Sequence, residues 1–171
     1  KLFGTEWTVE DLFYEVEKDK AYYQKSGGGV TVSGGEPLLQ REFVEAFLTK
    51  CKENDIQTAL DTCGYSKKQN LEKLLEFVDL FLFDLKEINP NKHLKFTGVP
   101  NKTILANCKW LVKKVNELEK AIWIRTPIIP NYTATKENVR GIAKFIVNEL
   151  KNKIDRWDLL AFNNLCKDKY E

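Results

Sequence analysis

The sequence predicts an α/β fold built on a parallel sheet. Three observations carry this. Segments of helical and of strand periodicity alternate with short connections between them. Residues 79–85 form a nearly continuous apolar run, as strands covered by helices on both faces do. The 171 residues, 43% apolar and 30% charged, have the length and balance of one sizeable core.

The first helix is expected over residues 8–24, where Leu12, Phe13, Val16 and Tyr23 recur at helical spacing and Thr8 with Asp11 resembles a capping box. Residues 30–33, between Gly27-Gly28-Gly29 and Gly34-Gly35, are too short and too Gly-flanked for a helix and read as a strand. A helix over 41–53, through Phe43, Val44, Phe47 and Leu48, precedes a strand over 56–61. Residues 66–77 open with Ser66 and Gln69 as a second capping box and lead into the apolar strand 79–85. A helix over 101–115 is followed by a strand over 121–126, which Pro127 and Pro130 are expected to end because proline donates nothing to a ladder. A last helix over 135–150 and a strand over 156–162 bring the strands to five. The pattern opens on a helix, so an earlier strand is expected to precede it, and its absence would expose a sheet edge that invites dimers. Methionine is absent even at position 1, which fits a single domain over residues 1–171 truncated at its N-terminus.

The net charge of +2, from 27 basic and 25 acidic residues, marks neither a nucleic-acid track nor a membrane surface. No run reaches the roughly 20 apolar residues of a membrane span and no signal peptide opens the chain, so a cytoplasmic location is expected. Cys51, Cys63, Cys108 and Cys166 lie at wide, unequal intervals, the pattern of buried, reduced structural thiols. Lys109, Lys113, Lys114 and Lys120 read as a solvated helix face. His93 lacks a second ligand at useful spacing and reads as a loop or helix-start residue near a partner-facing surface.

In parallel βα folds ligands gather at the carboxyl ends of strands. The first such end reads Ser33-Gly34-Gly35-Glu36-Pro37, where glycines let backbone approach a ligand and Glu36 can accept from an ammonium group. The plainer reading is a glycine turn before a helix that takes Pro37 at its first position. Asp61 tips the next strand, and Asp84 and Lys86 share one face at the end of the third. That pair alone would be a rim salt bridge. Arg125, in register with Trp123, supplies a fourth polar strand end, and several together point to a site.

The run Ser26-Gly27-Gly28-Gly29-Val30-Thr31-Val32-Ser33-Gly34-Gly35-Glu36-Pro37-Leu38-Leu39 resembles the hallmark of glycyl-radical-enzyme activating enzymes, the pyruvate formate-lyase activase family of radical S-adenosylmethionine proteins. In the same order, Leu60-Asp61-Thr62-Cys63-Gly64-Tyr65, Asp84-Leu85-Lys86, His93 with Thr97-Gly98, Trp123-Ile124-Arg125 and Lys169-Tyr170-Glu171 resemble that family. The resemblance implies a partial TIM-type (β/α)6 barrel with its first strand missing. It implies that Gly34, Gly35 and Glu36 cradle the methionyl amino group of S-adenosylmethionine, that Lys86 meets its carboxylate, and that Arg125 lines the same mouth. Asp61 and Asp84, with the carbonyls of Thr62 and Leu82, would lie beside the cofactor and hold a monovalent cation. Residues 159–163 match the segment that packs on the adenosine, with Asn163 where one branch has His.

The family also needs a Cys-x3-Cys-x2-Cys loop for a [4Fe–4S] cluster, and no cysteines here have that spacing. Cleavage of the cofactor would give a 5′-deoxyadenosyl radical that abstracts hydrogen from a glycine of the partner. That partner would be a glycyl radical enzyme, pyruvate formate-lyase by default, with Asn163 favouring dehydratase- or decarboxylase-type branches. A flavodoxin or ferredoxin-type protein would be the electron donor, and the chain alone is expected to be inactive. Residues 3–8 resemble the edge of a ferredoxin-like insert found in some activases. Two other classes stay open on the residues themselves: a Schiff-base aldolase with Lys86 as nucleophile, which leaves the glycine-rich motif unexplained, and a non-catalytic binding module on the same scaffold.

Overall fold

The computed structural model describes residues 4–162. The strands lie in the order β1-β2-β3-β4-β5, comprising Gly29–Val32, Gln57–Thr62, Leu80–Asp84, Ala121–Ile128 and Arg156–Ala161. β1 runs parallel to β2, and β4 parallel to β5. The α/β class and the parallel sheet are those the sequence predicts. The chain forms two compact units, one of residues 4–62 and 66–81, the other of 63–65 and 82–162.

The first unit begins with helices α1 (Val9–Glu17) and α2 (Lys20–Ser26), not one helix over 8–24. Neither buries a residue, so no core contact enforces continuity, and the break falls at Asp19, whose carbonyl accepts from the amides of Tyr22 and Tyr23. Thr8 caps α1 as expected, accepting from the Asp11 amide at 3.1 Å while its hydroxyl donates to the Asp11 carboxylate at 2.7 Å. Gly27, at φ 67°, ends α2 in the left-handed conformation that glycine adopts without steric cost. Helix α3 (Arg41–Glu53) buries Val44, Phe47, Leu48 and Cys51, one stripe at helical spacing. Before α4 (Lys68–Leu74) the second capping box does not form. The helix starts at Lys68 behind an extended Lys67, and the Ser66 hydroxyl instead accepts from the Asn70 side chain at 2.8 Å.

Strand β3, whose Leu80 and Phe81 belong to the first unit and whose Leu82, Phe83 and Asp84 belong to the second, is not buried evenly. Phe81 and Phe83 are fully buried, whereas Leu80, Leu82 and Asp84 on the alternate face are half-buried. Helix α5 (Pro90–Thr97), capped by Asn89, precedes α6 (Lys102–Glu117). Strand β4 runs through Pro127 to Ile128 and is not ended by it. Arg125 O accepts from Leu85 N at 2.9 Å, so Pro127, two residues on, turns its nitrogen to that same side beyond the end of β3, where no donor is required. Helix α7 (Lys136–Asn148) is capped by Thr135 and buries Asn138, Ile142 and Ile146.

Candidate functional site

In the first unit, β1 ends at Val32 and the chain turns through Gly34 (φ 86°) and Gly35 (φ 56°). A Cβ at either glycine would meet nothing within 4 Å. Backbone conformation, not crowding, therefore calls for glycine there. Glu36 follows in extended geometry, and its Oε1 accepts from Leu38 N at 3.2 Å, capping the short 3-10 helix Pro37–Gln40. The same oxygen accepts from Thr62 Oγ1 at 2.6 Å. Thr62 is 2% exposed at the last position of β2, so the Gly-Gly-Glu-Pro turn is tied to a neighbouring strand end. Asp61, half-buried, precedes it on the opposite face of β2.

In the second unit, Asp84 ends β3 and Arg125 lies on β4. Arg125 Nε and Nη2 both donate to Asp84 Oδ1, at 3.0 and 2.8 Å, and both side chains are 18% exposed. Lys86 Nζ stands 3.9 Å from Asp84 Oδ2 and is 39% exposed. Asp84 thus neutralises Arg125 closely and Lys86 only at the limit of ion-pair distance. Trp123, two residues before Arg125, is stacked by the Arg156 guanidinium 4.6 Å from its ring. Asn163 lies outside the described residues, as do Cys166 and residues 169–171.

The thiols do not fit a cluster. Cys51 and Cys108 are fully buried, and burial pushes the Cys51 thiol up to about 11 and Cys108 higher still, the opposite of what a thiolate ligand needs. Cys63 is only half-buried, against the buried thiol expected, because it stands between the end of β2 and the turn at Gly64. Among the described residues no three His, Cys, Asp or Glu side chains are grouped to hold a metal. Each unit by itself offers chemistry that suits one end of an amino-acid zwitterion: in the first the Glu36 carboxylate is an acceptor for an ammonium, and in the second the accessible Lys86 ammonium can meet a carboxylate.

His93 departs from the sequence reading. It lies within α5, 2% exposed, with Nδ1 2.8 Å from Val99 O and 3.0 Å from Thr97 Oγ1, so it braces the turn after its helix and presents no ring to a partner. Lys109 pairs with Glu149, and Lys113 and Lys114 with Glu117, the ordinary exposed pairs of a solvated face. Sequence reasoning missed Glu87, Asn101 and Asn138, all at most 3% exposed. Polar residues set in loop and helix text carry no periodic signal of burial.

Residues 3–146 match the model of the Radical SAM superfamily, and the chain belongs to that superfamily. Its relatives are activating enzymes. The chain is 43% identical to the (2S)-3-sulfopropanediol dehydratase activating enzyme of Klebsiella oxytoca, over 99% of this chain and 52% of that protein. It is 42% identical to the trans-4-hydroxy-L-proline dehydratase activating enzyme of Clostridioides difficile, over 100% and 55%. The pyruvate formate-lyase-activating enzyme of Staphylococcus aureus shares 37%, over 97% and 66%. A crystal structure of a domain of pyruvate-formate lyase-activating enzyme from Bacteroides vulgatus superposes with a TM-score of 0.70 at 32% identity, covering 80% of this chain and 82% of that one. The fold is thus the α/β radical SAM fold, present as a partial barrel. The chain spans about half the length of the first two relatives.

Proposed function

We propose that the protein containing this chain is a radical S-adenosylmethionine activating enzyme that abstracts a hydrogen atom from a glycine of a glycyl radical enzyme. Gly34, Gly35 and Glu36 receive the methionyl ammonium and Lys86 its carboxylate, while Arg125 pairs with Asp84. Asn163 is assigned to the nucleoside contact on the strength of the resemblance. Asp61, Asp84 and the carbonyls of Thr62 and Leu82 supply hard oxygen donors for a monovalent cation. The cofactor, cleaved reductively at a [4Fe–4S] cluster whose ligands lie outside the described residues, supplies the hydrogen-abstracting chemistry; the protein supplies placement and exclusion of water. An electron donor of flavodoxin or ferredoxin type, a cytoplasmic setting and inactivity of the isolated 171 residues belong to the same reading. No helix among the described residues is long and apolar enough to cross a membrane. The relatives at 43% and 42% identity are both dehydratase activating enzymes, which supports a dehydratase-type partner.

The observation that carries this reading is Lys86, an accessible ammonium at a strand end whose nearest acid is already engaged by Arg125. Such a cation keeps its capacity for an external carboxylate. Charge-assisted hydrogen bonds contribute about 1.5–3 kcal/mol, so Lys86→Ala should weaken S-adenosylmethionine binding to the cluster-loaded protein roughly 10- to 100-fold in equilibrium dialysis. Asp84→Ala should also weaken it. Wild-type affinity in both variants would sink the assignment.

A further inference from the structure

The stretch just after β3 is held by two buried side-chain amides that belong to distant helices. Asn138, on α7 and 1% exposed, donates from Nδ2 to Lys86 O at 2.9 Å and to Thr133 O at 3.2 Å, while its Oδ1 accepts from Ile88 N at 2.9 Å. Asn101, 3% exposed at the N-terminus of α6, donates from Nδ2 to Glu87 O at 3.1 Å and Ile88 O at 2.8 Å. The carbonyls of Lys86, Glu87 and Ile88 and the amide of Ile88 are therefore satisfied by side chains, not by a ladder or a helix. α7 adds a steric latch. Gly141, three residues after Asn138 and so on the same face, packs so closely that a Cβ there would stand 2.5 Å from Ile88 Cγ2. The segment is held in this shape despite an opposing cost, for Glu87 is 3% exposed and its Oε2 finds no hydrogen-bond partner among the described residues. A costly conformation kept by dedicated contacts is the mark of a functional constraint.

We infer that Asn138, with Asn101, is a positioning residue for Lys86: the two amides clamp the Lys86–Ile88 backbone so that the lysine ammonium is presented in one place. This rests on the proposed role of Lys86 toward the carboxylate of S-adenosylmethionine. Neither asparagine touches the ligand. Their effect runs through the main chain of Lys86, and a displacement of the order of 1 Å there can cost up to about a hundredfold.

A double-mutant cycle on the cluster-loaded protein tests this, with S-adenosylmethionine affinity and Tm both measured for Asn138→Ala, Lys86→Ala and the double variant. Asn138→Ala should weaken binding roughly tenfold or more, and should weaken it no further once Lys86 is already alanine, because the two act through one contact. Gly141→Ala, which displaces Ile88 without removing a polar group, gives a second route should Asn138→Ala fail to fold, and is expected to show the same dependence on Lys86. Ile142→Val, a core change on the same helix, should lower Tm and leave affinity unaltered. Wild-type affinity in Asn138→Ala and Gly141→Ala, or an equal loss in both Lys86 backgrounds, would overturn the positioning role. Full affinity in Lys86→Ala would instead overturn the reading beneath it.

Discussion

Asp79 shows how a single side chain in this molecule acquires its role from its surroundings. It precedes β3, accepts from Thr58 N at 2.9 Å and Thr58 Oγ1 at 3.2 Å, and forms an ion pair with Lys52. Burial pushes its carboxyl up, but the Lys52 ammonium and the Thr58 donors together outweigh that and leave it below the usual aspartate range. A carboxyl depressed in the folded state contributes stability that is fully present above its unfolded value, near 3.9, and is lost as pH falls through its folded value. Asp79→Asn should therefore lower Tm near neutrality, and the difference from wild type should shrink in thermal melts taken below about pH 4. A constant Tm gap down to the lowest pH would exclude this ion pair as its source. At the same scale, Glu36 and Asp84 were legible as polar strand ends, whereas their ties to Thr62 and Arg125 were not, since those depend on which strands lie side by side.

Among the elements, β1 and β2 approach each other closely at Gly29. A Cβ at Gly29 would stand 1.9 Å from Gln57 O, a backbone atom that cannot step aside without breaking the ladder in which Gly29 pairs with Gln57. Gly29→Ala should therefore lower Tm by several degrees, with hydrogen exchange rising first at β1 and β2 amides. Gly28→Ala, whose Cβ would meet only the Ser26 hydroxyl at 3.0 Å, is the milder control. Equal effects of the two would refute the close-approach argument. Strands and helices with clear periodicity, such as α3 and β2, stand almost where the sequence put them. The failures are instructive: the α1–α2 break, the unformed cap at Ser66 and the passage of β4 through Pro127 each turn on a neighbour or on its absence.

At the scale of the whole molecule, each compact unit carries a fully buried thiol, Cys51 in the first and Cys108 in the second, while Cys63 is half-buried. None is in a disulfide. Labelling with a thiol reagent at pH 8 should consume Cys63 quickly and Cys51 and Cys108 only through opening of their units, orders of magnitude more slowly. Rapid labelling of either buried thiol would show that its unit is less closed than described. Sequence alone determined the α/β class, the order of the elements, the family and the polar strand ends, because periodicity and contiguous motifs are written along the chain. Only tertiary structure decided that His93 is a buried brace, that Arg125 takes up Asp84, and that Asn101 and Asn138 clamp the backbone at Lys86. Those contacts join residues from 6 to 52 positions apart, and a hydrogen bond forms by distance in space, which no local pattern of residues records.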